Sequence, residues 1–202
     1  REWTGIRNAP QAVLEDDPPV TNWLDFVMLA ERLGTGPSLL PEAPLDRALC
    51  LGLSAEICGR EGLGWLRRHL IMAKLWESEA SIAAASEHDR QLLKAYGFSL
   101  TEAQAAPRRI ADILTGFSQQ LGRQREAGLD YLVGQSLSAC DVHLACFSLM
   151  LDPLPNEVNP MPDYLRSFYE DVPAPVADAL DPALIEHRDF VMHKHIGLPL
   201  DY

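Results

Sequence analysis

Ser138-Ala139-Cys140-Asp141, standing at the head of an apolar run that reaches Leu151, constrains this chain more than any other stretch. A serine at a helix N-cap can accept from the N–H of the third helical position. An acid at that position can reach back to the serine N–H, so two orphan donors are satisfied at once. Leu137 and Val142 are placed to staple the turn. Because the residues that follow are nearly all apolar, the helix they form is expected at the buried centre of its domain. A chain that buries one helix on all sides must supply others to surround it.

The rest of the sequence offers those helices. From Pro44 the pattern is helical, with Leu49, Cys50, Leu53 and Ile57 expected on one side of a helix from Leu45 to Cys58. Gly59, Gly62 and Gly64 interrupt it, and Trp65 to Trp76 resumes it. Ser86 caps a short helix to about Tyr96. Thr101-Glu102-Ala103-Gln104 reads as a further capping box, opening a helix whose stripe is Ile110, Ile113, Leu114, Phe117 and Leu121. Pro107 should bend that helix or mark a late start, and Gly128 ends it. Two more helical segments are expected, Pro162 to Val172 and Pro182 to about His195, the second capped by Asp181. Before Pro44 the pattern differs. Ala9 to Leu14 predicts a short strand, Glu15 to Pro19 a turn, and Thr21 a cap for a helix to about Leu33.

Composition excludes several classes. Twenty-nine acids against 17 bases give a net charge of −12, which repels a phosphate backbone and leaves no footprint for nucleic acid. No run approaches a membrane span, and no basic segment followed by an apolar one opens the sequence, so no membrane partner and a cytoplasmic location are expected. Cys50, Cys58, Cys140 and Cys146 match no zinc spacing and read as buried free thiols. His187, His193 and His195 spread about a helix axis rather than sharing a face, so no metal is expected there. His143 reads as a satisfied core histidine, and Arg108, Arg109, Arg123 and Arg125 as solvated helix faces.

Two stretches carry a family resemblance: Leu39-Leu40-Pro41-Glu42-Ala43-Pro44-Leu45-Asp46-Arg47-Ala48, and Tyr131-Leu132-Val133-Gly134 leading into Ser138-x-x-Asp141. In this order and at this separation they resemble the linker, the first-helix opening and the buried folding cap of glutathione transferases. Gly5 to Pro10 and His187-Arg188-Asp189-Phe190 are similar to segments of a bacterial group in that family. The resemblance implies a mixed, mostly α chain. Its parts are an incomplete thioredoxin-like portion over 1–36 (a strand plus a helix), a linker over 37–44 and an all-helical domain over 45–202.

It also implies chemistry: conjugation of glutathione, the co-substrate, with a small electrophile, or its exchange with a thiol adduct, in a homodimer. Ala9-Pro10 falls at the family's cis-proline, where Ala9 would pair with the cysteinyl part of glutathione through its backbone. Asn22 and Trp23 fall on the helix start that ordinarily receives the γ-glutamyl carboxylate through Glu-Ser. Trp23 reads equally well as core or interface. The thiol-activating residue is expected before Arg1, and the catalytic residue is left unassigned. Glu56, Arg60, Trp65, Arg67 and Arg68 are read as the acceptor-substrate wall, although Glu56 and Arg60 could equally form an i, i+4 ion pair and Trp65 belong to the core. The rival implied by Asn22-Trp23 is a non-catalytic binding or interaction module on the same fold.

Overall fold

A computed structural model describes residues 10–200, and Ala9 lies outside the described residues. Ten α-helices and no strand occur among those residues: α1 Trp23–Leu33, α2 Pro44–Cys58, α3 Leu63–Leu75, α4 Glu79–Ala84, α5 Glu87–Ala95, α6 Leu100–Glu126, α7 Ala139–Ser148, α8 Asp163–Glu170, α9 Ala174–Ala179 and α10 Pro182–Val191. The chain runs on from α10 through a π-helical turn, Met192–Ile196. The strand expected before the first turn is reduced to one antiparallel bridge between Ala12 and Val20, closed by hydrogen bonds of 3.1 and 2.8 Å. Two prolines and three acids between those residues prevent the ladder from lengthening.

Long α6 and short α7 organise the bundle. The stripe Ile110, Ile113, Leu114, Phe117 and Leu121 is buried as its spacing requires. Along α6 lie α3 and α9; against α7 lie α2 and α10. In α7, Ala139, Cys140, Leu144 and Ala145 are buried, whereas Cys146, expected to be a buried thiol, is exposed. Gly64 lets α3 cross closely beside α7. A Cβ there would stand 2.3 Å from the Phe147 ring.

Helix ends differ from the sequence reading in physically instructive ways. Ser99 caps α6, accepting from the Glu102 N–H at 3.4 Å, so the expected Thr101 box lies already inside the helix. Pro107 neither delays nor ends α6, since its missing N–H costs one bond while twenty-seven residues of packing hold the rest. Asn22, not Thr21, caps α1. The expected single face of α2 is divided: Cys50 and Ile57 are buried, while Leu49 is 40% exposed and Leu45 85% exposed. The linker is fastened near its beginning, at Ser38 and Leu39. The Glu31 carboxylate accepts from the Ser38 hydroxyl and the Leu39 N–H, at 2.5 and 2.8 Å. The Leu39 carbonyl accepts from Ala139 N–H, in the first turn of α7, at 2.8 Å.

No helix among the described residues is long and apolar enough to cross a membrane.

Candidate functional site

The expected folding cap is a four-way junction. Asp141 is fully buried; its Oδ2 accepts from the Ser138 N–H at 2.9 Å and from the Ser138 hydroxyl at 2.6 Å. Its Oδ1 accepts from the Leu132 N–H at 2.8 Å and lies 2.9 Å from Nε2 of His187 on α10. The carboxylate therefore joins the 131–134 turn, the start of α7 and the last long helix. His187, read from sequence as one of a scattered histidine group, is buried and belongs to this junction. Only its spacing on an apolar helix could have hinted at that.

The Asn22-Trp23 helix start is closed upon itself. Asn22 Oδ1 accepts from the Asp25 N–H at 3.0 Å, and its amide donates to the Asp25 carboxylate. The Asp25 carboxylate and the capped Asp25 N–H stand at the helix start where the resemblance implies a γ-glutamyl carboxylate would bind. Trp23 is half-buried and meets the His143 ring edge-on, with centroids 6.1 Å apart. His143 is a half-buried partner of the indole rather than a satisfied core histidine, since its buried Nδ1 has no hydrogen-bond partner among the described residues. Burial pushes its pKa down. Pro10 is exposed.

The expected acceptor wall divides in two. Glu56 pairs with Arg109 on α6 at 2.5 Å, not with Arg60, so Arg109 is no free solvated face. That pair spans a groove between α2 and α6, lined by Leu49, Leu53, Asp112 and Gly116 among others. Arg67 leaves the surface altogether. It is fully buried, and its guanidinium donates to the carbonyls of Met150, Phe168, Tyr169 and Asp171. Its part is to hold the end of α8, not to face a substrate.

The remaining three stay together. Trp65 tilts against the Tyr96 ring with centroids 5.7 Å apart, and the Arg68 guanidinium lies 5.6 Å from the same ring centre. Arg60 Nη2 lies 3.4 Å from the point where a Cβ of residue 97 would stand. Tyr96 was the missed member, because a residue ending a short helix carries no periodic signal of its own.

Cys58 is poised against reaction, whereas a hydrogen bond with the Cys140 thiol draws Cys50 from 9.0 down to about 6. Desolvation, and then the nearby Cys146, push the Cys58 thiol from 9.0 up to about 12. Since only the thiolate attacks, native Cys58 should label with Ellman's reagent far more slowly at pH 8 than in urea. Its native rate should keep climbing with pH beyond the range where an ordinary thiol levels off. Equal native and unfolded rates would contradict this. No cluster of metal-ligating residues occurs among the described residues.

Comparison with known proteins returned no matching family model, no matching curated protein and no matching solved structure.

Proposed function

We propose that this chain is a glutathione-transferase-like protein of the cytoplasm that holds a small electrophile against the Arg60, Trp65 and Arg68 face of its helical domain. The observation that carries the reading is the buried Ser138–Asp141 junction, reached through a proline-bearing linker and a divided helix pair. Those features stand in the order that the resemblance requires. The bridge between Ala12 and Val20 followed by α1 supports a thioredoxin-like portion ahead of the bundle.

Two readings remain for such a fold. Conjugation joins the glutathione sulfur to the electrophile and expels a leaving group with the thiol proton. The second reading is a binding or interaction module without thiol chemistry. The Asn22–Asp25 closure of the α1 start specifically favours it. Calorimetric titration of glutathione separates them. A dissociation constant below about 1 mM, lost in Trp23→Arg, supports conjugation or exchange; no heat at about 10 mM leaves the module.

A homodimer belongs to the same proposal, with the α2–α6 groove as its seat. Leu49 is exposed there, Gly116 leaves open space, and Glu56, Asp112, Arg109 and Arg123 give the groove both signs of charge, so that a two-fold axis can set acid against base. Leu49→Asp should convert a dimer to a monomer in light scattering. A wild-type monomer at about 100 μM would end this part of the proposal.

A further inference from the structure

The turn joining α5 to α6 gathers an unusual set of groups for so acidic a chain. Tyr96 closes α5, Gly97 takes a positive φ of 62°, and Phe98 follows. One face of α3 is turned to it, with Trp65 and Arg68 on the Tyr96 ring and His69 Nε2 3.4 Å from the Tyr96 carbonyl. Arg60 reaches the same turn from the loop between α2 and α3.

Arginines beside a helix C-terminus ordinarily serve its unpaired carbonyls. Here that need is already met. The Leu92 and Lys94 carbonyls accept from Tyr96 and Gly97 N–H groups at 3.0 and 3.1 Å, and the Leu93 carbonyl from Phe98 N–H at 2.9 Å. Neither Arg60 nor Arg68 donates a hydrogen bond or forms an ion pair among the described residues, although the chain has 29 acids for 17 bases. Glu56, on the adjoining α2, is paired with Arg109, and Glu102 lies 3.3 Å from His69 Nδ1. Both guanidiniums are exposed, and their forks stay open beside two half-buried aromatic rings.

We propose that Arg60, Arg68, Trp65 and Tyr96 form a binding site for a small aromatic anion, its carboxylate or sulfonate held by the two guanidinium forks and its ring laid against Trp65 and Tyr96. A planar guanidinium matches a carboxylate or sulfonate edge with paired donors, and an indole and a phenol supply flat apolar area at little entropic cost. Gly97, at a positive φ of 62°, keeps the floor free of a side chain, and a Cβ there would stand 3.4 Å from Arg60 Nη2. The inference rests on the acceptor face of the preceding reading and gives it a ligand class, yet it requires no glutathione.

The test is calorimetric titration of the full chain with 2-naphthalenesulfonate at low salt, in the absence of glutathione. Binding is expected with a dissociation constant below about 1 mM, weakened about tenfold or more in Arg60→Gln/Arg68→Gln. The uncharged 2-naphthol should bind about tenfold more weakly than the sulfonate, and raising salt to about 0.3 M should weaken only the sulfonate. Arg125→Gln, at the far end of α6, should bind as the wild type does. No heat from the wild type, equal affinity in the double arginine variant, equal affinity for 2-naphthol, or loss in Arg125→Gln would each overturn the site. Because glutathione is absent throughout, failure here leaves the glutathione titration unaffected, and failure there leaves this site standing.

Discussion

Asp141→Ala should lower the stability of this protein by about 3–5 kcal/mol, read as a fall in the urea midpoint with little change in slope. The carboxylate is fully buried and accepts from two backbone N–H groups and one hydroxyl, while His187 stands 2.9 Å away. Alanine keeps none of these bonds and leaves every donor stranded in an apolar surround, where each unsatisfied group costs about 1–3 kcal/mol. Asp141→Asn retains the shape and part of the acceptor capacity, so it should lose less. Ser138→Ala removes one hydroxyl from the junction and should cost about 1 kcal/mol. A loss below about 1 kcal/mol for Asp141→Ala would show that the junction adds little.

Arg67→Met should be of similar size, about 3–5 kcal/mol, and its effect should concentrate at α8. The guanidinium is fully buried, and burial lowers its pKa, but arginine keeps its proton. Its Nε donates to the Met150 carbonyl at 2.8 Å, and its Nη2 reaches the Phe168, Tyr169 and Asp171 carbonyls at 2.6, 3.2 and 3.2 Å. Methionine fills much of the volume yet leaves four carbonyls without that donor. Arg67→Lys brings one ammonium in place of a fork and should recover only a fraction. Hydrogen exchange over 163–171 should quicken well before that of α6. Uniform quickening of both would mean that Arg67 serves the whole bundle instead.

The helical character of the bundle was legible because α6 and α7 advertise themselves by composition. A stripe at helical spacing and a capped apolar run each have few other solutions. What was not legible turned on partners far away in the chain. Nothing in Glu56 distinguishes Arg60, four residues away, from Arg109, fifty-three away, and the choice is made by the packing of α2 beside α6. Arg67 and Arg68 are neighbours in sequence with opposite fates, because a helix turns about 100° per residue and only one of them faces inward. The short helices α4 and α9 have six residues each, too few for a period to show. Tyr96 gained its company from α3, not from its own segment.

The bond from Ala139 N–H to the Leu39 carbonyl has a consequence for where this molecule can be cut. By composition the bundle starts at the prolines, and a dissection there would seem natural. In the folded molecule, however, the peptide group of Leu39 completes the head of α7, as an integral splint would. A fragment starting after Leu39 would open a donor at the most buried helix, so the least disruptive incision lies nearer Gly36.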